Sequence, residues 1–472
     1  MKHLTLLTMF LAVLMSAGAQ QMNKQIGAEN KKYNPWQIDE MIIIGKHEGL
    51  TIGVTKNYKS IAQNVQVIAF DDNMNMVHSF DIPDTKMDHA EVASLFDGKI
   101  YILIYHDKKW DGTYDYNRVV LDAKTLKPIG EPKTIFSYKH STAEDNYLWV
   151  SQSPDGMLTA IIDISVVERQ DKYSATEILL DEEMNIEWQR NYPIHWLSNM
   201  IVTNDGEIIT IGRSKGKEAN KIYFSIIDDV NGIDLSQQTS VVIDRTELIC
   251  YRDNKILAVG IGTDPANKKE FKYFGISADT KTSNINIDYK TITNNDKCVF
   301  AGVDMGSKLD PKKNYYLKLQ HCKETDYGAV STIFNRANTD GFKIVGMLVF
   351  AIDNNGNIIW NKMVRNNLYS KPAPNRLDYA LCVEGSDTYL VGAESHKGPA
   401  TYDIDKKIDM QKLNTGAKGI AIYHFDANGS VTKKLDILDK SVFFGKYVKK
   451  INDEYVGLMT TPIGVSMIKF KF

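Results

Sequence analysis

Cysteine is scarce in this chain: four in 472 residues, at positions 250, 298, 322 and 382, all in the second half and none in a Cys-x-x-Cys pair. In an oxidising compartment a disulfide is therefore allowed but not required. Proline is sparse as well, and an excess of positive charge is missing, since the formal net charge is −3. A nucleic-acid partner needs a basic surface, so that class is excluded. After the first fifteen residues no apolar stretch reaches membrane-spanning length, which argues against insertion as a helix. Long helical periodicity is absent too. So are the G-x-S-x-G, H-E-x-x-H and P-loop spacings, which leaves no catalytic constellation in view.

What is present begins with MKHLTLLTMFLAVLMSAGAQ. Lys2 and His3 precede an apolar run from Leu4 to Met15, then Ala17-Gly18-Ala19. This pattern predicts a secretory leader over residues 1–19, cleaved before Gln20, and a periplasmic or secreted mature protein. No Cys follows the cleavage site, so no lipid anchor is expected. The remaining composition, 43% hydrophobic and 10% aromatic, is that of a folded protein.

Four stretches are self-similar: AFDDNMNMVHSF, LLDEEMNIEWQR, FAIDNNGNIIW and HFDANGSVTKKL, with VLDAKTLKPIGE a fifth, more divergent copy. Each reads as a strand ending in Asp, a short turn and a new strand, which is a β-hairpin. A second bend precedes each one. Together the two bends define a four-stranded meander whose first turns fall near His47, Asp97, Asp155, Asp205, Asp253, Asp310, Gly385 and Asn452. Their spacing of roughly 50 to 75 residues fits a propeller blade with variable loops.

The predicted fold is all-β: an eight-bladed β-propeller of four-stranded antiparallel blades over residues 37–472. Seven blades are the runner-up. The last unit supplies only three strands, so residues 20–36 are the candidate for a closing strand. The ending GVSMIKFKF raises an outer-membrane β-barrel as a rival, but barrel strands need about ten alternating residues and these are shorter. VVLDAKTLKPIG, LLDEEMNIEW and FAIDNNGNIIW resemble the repeats of quinoprotein-type (PQQ-like) propellers of secreted bacterial proteins. The resemblance implies the fold and not the quinone, because the adjacent cysteines of quinoprotein dehydrogenases are missing. No cofactor is expected.

Asp353, Asn355 and Asn357 place oxygens at alternate positions, as a calcium loop would. A calcium site needs six to eight oxygens at set spacing. The equivalent turns keep Asp but admit Met74, Thr125 and Met184 after it. A bend without metal is the reading that fits, with Ile352 and Ile358 packed between blades.

If blades run a-b-c-d, the a-b and c-d turns share one face, and the b-c and d-a connections share the other. The segments HDKKWDGTYDYN, RSKGKEANK, GTDPANKKEFK, HCKETDYGAVSTIFNRANTDGFK and SHKGPATYDIDKKIDMQKLNTGAK are assigned to that second face. They hold 17 Lys or Arg against 12 Asp or Glu. Long loops on a rigid scaffold carry function. The expectation is a monomeric, non-catalytic protein that binds a glycan or protein ligand there, with Trp110, His195, Trp196 and His396 as candidate contacts. The alternative is a glycan-cleaving hydrolase or lyase on the same scaffold. Cys298 and Cys322 are expected to face each other across a hairpin centred on Asp310, as a disulfide. Cys250 and Cys382 are expected to be buried free thiols.

Overall fold

The computed structural model describes residues 22–31, 41–57, 64–83, 85, 89–108, 113–139, 147–165, 173–214, 220–267, 270–292, 315–339, 342–365, 379–394, 418–439, 443–460 and 464–472. The described residues form eight separate four-stranded antiparallel sheets. The first blade is β2 (Met41–His47), β3 (Leu50–Asn57), β4 (Asn64–Phe70) and β5 (Met76–Asp81); the second is β6 (His89–Phe96), β7 (Lys99–Lys108), β8 (Thr113–Asp122) and β9 (Lys133–Lys139). The third is β10 (Tyr147–Gln152), β11 (Thr159–Ser165), β12 (Tyr173–Leu180) and β13 (Ile186–Ile194); the fourth is β14 (Trp196–Val202), β15 (Ile208–Arg213), β16 (Lys221–Ile227) and β17 (Gly232–Gln238). The fifth is β18 (Val242–Arg252), β19 (Lys255–Thr263), β20 (Phe271–Asp279) and β21 (Ile285–Ile292); the sixth is β22 (Tyr315–Thr325), β23 (Gly328–Thr339), β24 (Phe342–Asp353) and β25 (Ile358–Arg365). The seventh is β26 (Tyr379–Glu384), β27 (Asp387–Glu394), β28 (Gly419–Phe425) and β29 (Val431–Ile437).

The eighth blade takes three strands from the end of the chain, β30 (Phe443–Ile451), β31 (Glu454–Thr460) and β32 (Val465–Lys471), and its outermost strand from the beginning, β1 (Asn23–Ile26). The expected closing strand is thus present, antiparallel to β32 from Asn23 opposite Lys471 to Ile26 opposite Ile468. Lys24 also pairs with Asp436 of the seventh blade at 2.9 Å. The GVSMIKFKF ending is the third strand of a blade, so the barrel rival falls. First strands of successive blades touch in a closed circuit, the eighth meeting the first. The fold is an eight-bladed propeller.

Burial explains the strand compositions. Second and third strands are covered on both faces by neighbouring blades, so β19 reads KILAVGIGT with seven consecutive buried residues. The outermost β17, GIDLSQQ, buries only Leu235. Continuous apolar runs of this kind are what two-sided packing selects.

The repeated Asp turns join blade to blade. In four copies the strand-ending Asp, at 71, 181, 353 and 426, accepts backbone N–H bonds from the residues two and four further on. The fourth residue of each turn has positive φ: Met74, Met184, Gly356 and Gly429. Where the turn crosses the preceding blade backbone to backbone, only Gly fits, since a β-carbon on Gly356 would lie 2.6 Å from the Ser277 nitrogen. Where a gap remains, Met fills it. Met184 is buried among Val92, Tyr101 and Leu103 of the second blade. The variation after the Asp follows what each turn meets on the preceding blade.

IDNNGNIIW is such a turn. Asp353 Oδ2 accepts from Asn357 Nδ2 at 2.9 Å, so both its oxygens serve the bend. Asn286 of the fifth blade donates to the Asn355 carbonyl at 2.6 Å, and Asp288 accepts from the Ile358 N–H at 2.9 Å. Ile352 and Ile358 are buried with Val259 and Ile261, between the two blades as expected.

One unit departs from the expected register. The sixth a-b turn is Asp326–Tyr327, and Asp310 lies outside the described residues. HCKETDYGAVSTIFNRANTDGFK is therefore no loop: it is the end of β22, the turn, all of β23 and the start of β24. Strands of 11, 12 and 12 residues make this hairpin unusually tall. HDKKWDGTYDYN is likewise mostly β7 and β8. RSKGKEANK, GTDPANKKEFK and SHKGPATYDIDKKIDMQKLNTGAK do connect second to third strands, as expected.

Candidate functional site

The central channel is walled by the first strand of every blade, so each of its mouths collects one end of these strands. At the mouth bearing the b-c and d-a connections, His195 is the single residue between β13 and β14. Its ring stacks on Tyr223 with centroids 3.4 Å apart, and Lys221 Nζ lies 4.9 Å from the same tyrosine ring. Trp196, the first residue of β14, turns the other way and meets Tyr173 of the third blade edge-on at 5.7 Å. The two neighbours thus belong to different packing groups. Trp110 and His396 lie outside the described residues.

The opposite mouth, ringed by tight turns, holds a concavity. A basin of about 430 Å³ opens between the fifth and eighth blades, where β18, β22, β26 and β30 end. Its lining includes Arg252, Lys323, Glu324, Asp326, Lys450 and Tyr455. Short a-b turns put these side chains at the mouth. Asp253 and Asn254, both at positive φ, turn the chain in two residues directly after Arg252, the geometry that matches strand twist.

The charges are arranged across blade boundaries. Arg252 Nη1 pairs with Glu324 Oε1 at 3.0 Å, and Lys450 Nζ with Glu384 Oε2 at 2.7 Å. Arg252 also donates through Nη2 to Asn354 Oδ1 at 3.1 Å, which separates the basin from a smaller hollow lined by Cys250 and Lys255. All four charged partners are partly exposed, so these pairs add little stability, about 0–1 kcal/mol each. Their consequence is a fixed pattern of charge.

Beneath the charges the walls are inert. Tyr455 is 5% exposed and donates to the Val383 carbonyl at 2.6 Å, with Lys450 Nζ 5.6 Å from its ring centre. Burial pushes its phenol well above the usual tyrosine range. Cys382 is buried in the basin wall and burial drives its thiol upward as well. For Cys250, burial and then the Glu324 charge raise the thiol to about 12. A thiol held protonated is neither nucleophile nor metal ligand.

Cys250 and Cys382 are free and buried, as expected. Cys322 is free too, and sits on the first strand of its blade where the expectation had the second, with Sγ 3.2 Å from Ser331 Oγ. Burial raises its thiol to about 12. Its expected partner Cys298 lies outside the described residues. Among the described residues no group of three or more His, Cys, Asp or Glu is placed to hold a metal ion.

Sequence reasoning missed the basin. A signal existed: ICYR, CKET, CVE and VKKI all place charge within three residues of an a-b turn, in four consecutive units. Loop length drew attention to the other face.

No family model matches the sequence, and no curated protein matches it. Solved structures do. The Pyrococcus horikoshii acylaminoacyl peptidase is 11% identical with a TM-score of 0.38, over 92% of this chain and 59% of that one. This chain therefore matches about six-tenths of the peptidase's length. The β-propeller domain of the Trilobed protease from Pyrococcus furiosus is 11% identical with a TM-score of 0.38, over 84% and 93% of the two chains. The polysaccharide lyase Uly1 is 10% identical with a TM-score of 0.39, over 81% and 90%. At such identities none of them assigns an activity to this chain.

Proposed function

We propose that the protein is a monomeric, non-catalytic binding propeller, exported to the bacterial periplasm or beyond, that holds a glycan or protein partner in the basin at the tight-turn mouth of its channel. The leader-like residues 1–19 support export. The observation that carries the binding reading is the composition of the basin. Its lining carboxylate Glu324 and the adjoining Glu384 are paired with cations, its one thiol, Cys382, and the neighbouring Cys250 are held protonated, and its tyrosine is buried and hydrogen-bonded. Such a wall offers shape and charge but no poised acid, base or nucleophile. At about 430 Å³ it is of ligand-pocket size, roughly 300–1,000 Å³ being usual.

The test is to block each mouth in turn. Lys323→Cys at the basin and Lys221→Cys at the opposite mouth would each be labelled with a bulky maleimide, and binding read on glycan and peptide arrays. Among the described residues the native thiols are buried (Cys250, Cys382) or half-buried (Cys322) with their thiols pushed upward, and should label slowly. Blocking at 323 should abolish binding and blocking at 221 should leave it. The reverse result would move the site to the face of His195 and Trp196. Cleavage of a polysaccharide by the unlabelled protein, lost on replacing one channel carboxylate, would establish the enzyme alternative.

A further inference from the structure

The basin's charge pattern is incomplete in a specific way. Arg252–Glu324 and Lys450–Glu384 are closed pairs. Lys323, at the end of β22, and Asp326, in the turn that follows, both line the basin and are both exposed. Neither side chain has an ion pair or hydrogen bond among the described residues, and they do not pair with each other. One unpaired cation and one unpaired anion therefore stand three residues apart at a concave mouth.

Asp326 is also held in position. Its backbone N–H donates to the Gly385 carbonyl of the seventh blade at 3.2 Å, and its Oδ2 lies 2.9 Å from the place a β-carbon on Gly385 would occupy. Behind it the Tyr327 hydroxyl faces Thr325 and the Trp360 indole of its own blade and Thr388 of the seventh. The two charges are displayed on a rigid hairpin end, so little ordering is required when a partner binds.

From this layout we infer that the basin docks a protein segment presenting one acidic and one basic side chain, the acid toward Lys323 and the base toward Asp326. The inference rests on the binding reading above and narrows it. A polyanionic glycan would meet Asp326 as a repulsive charge, and like-charge contact suppresses wrong partners. A neutral glycan would be served by an open aromatic face, but the ring in the basin, Tyr455, is almost wholly covered. A mixed-charge peptide completes both groups at once.

The experiment uses the full chain with four immobilised probes: a twelve-residue peptide alternating Glu and Lys among glycines, its all-Glu and all-Lys counterparts, and polygalacturonate. The mixed peptide should bind best, and K323E or D326K should each weaken it about tenfold or more, while melting temperatures stay unchanged. The double variant carrying both exchanges should recover most of the affinity, because it presents the same two charges in swapped places. A D326K variant that binds polygalacturonate more tightly than the native chain would overturn the inference in favour of an anionic glycan. Preference for a single-sign peptide, or no binding of the mixed one, would also overturn it. Binding of any probe that survives labelling at position 323 would instead remove the basin as the site, a different failure.

Discussion

The carboxylate of Asp326 lies over the α-carbon of Gly385, its Oδ2 2.9 Å from where a β-carbon would project. This contact joins the a-b turns of the sixth and seventh blades at the rim of the basin. Gly385 has φ +62, a conformation that costs an L-residue roughly 1 kcal/mol. Gly385→Ala therefore combines backbone strain with a displaced Asp326. The expected outcome is a loss of about 1–2 kcal/mol in urea unfolding, together with weaker ligand binding. A variant as stable as the native chain would mean that the turn tolerates the added carbon.

Asp353 has a separate task at the c-d turn of the sixth blade. Its Oδ1 accepts the N–H of Asn355 and of Asn357, and its Oδ2 accepts from the Asn357 amide. Asp353→Ala leaves these solvent-exposed donors to water and loosens the turn that grips the fifth blade, at a cost of about 0.5–1.5 kcal/mol. Because the carboxylate is engaged by the bend, melts with calcium and with chelator should coincide. A calcium-dependent rise of several degrees, abolished in the Asp353 variant, would restore the calcium-loop reading.

How the fold was written in the sequence is visible in these same turns. Asp-Gly at 97–98 and the Asp-initiated bends at 71, 181, 353 and 426 are local signals, so hairpins, blade count and the closing strand near Asn23 could be read directly. The sixth blade could not. Asp310-Pro311 reads as a turn in the sequence, but the sixth a-b turn is Asp326-Tyr327, between strands long enough to break the period. The basin was hidden for a different reason. Arg252, Glu324, Glu384 and Lys450 sit on four blades and are distant in sequence, so their pairing depends on blade-to-blade register that no single stretch encodes. His195 was placed correctly at its connection, yet its stacking on Tyr223 required the neighbouring strand.

The thiols provide an independent check on the sixth blade. Cys250, Cys322 and Cys382 are free, and burial raises the thiol of each. Native protein should react slowly with a disulfide reagent near pH 8, since the thiolate is the reacting form. In denaturant without reductant, at least these three should titrate at once. Finding Cys322 joined to Cys298 by peptide mapping would reinstate the disulfide and contradict the observed strand assignment.

Stability should also depend on pH through one buried acid. Glu177 on β12 is fully buried opposite Arg190, and among the described residues neither of its carboxylate oxygens has a hydrogen-bond partner. Arg190 spends its guanidinium on the carbonyls of Asp228 and Asn231 in the next blade. Burial pushes the Glu177 carboxyl up to about 8, Arg190 offsetting this only in part and Asp234 adding to it. The unfolded chain releases that proton near the ordinary glutamate value, about 4.3. Between those values the native state holds one proton more than the unfolded state, so stability falls as pH rises from about 4.5 to about 8 and levels off above. Glu177→Gln cannot ionise and should remove this slope, gaining on the native chain by up to a few kcal/mol at pH 8.5 while differing least at pH 5. Urea midpoints at pH 5, 7 and 8.5 would decide it. Parallel profiles for the two proteins would mean that Glu177 is already ionised in the fold, satisfied by Arg190 after all.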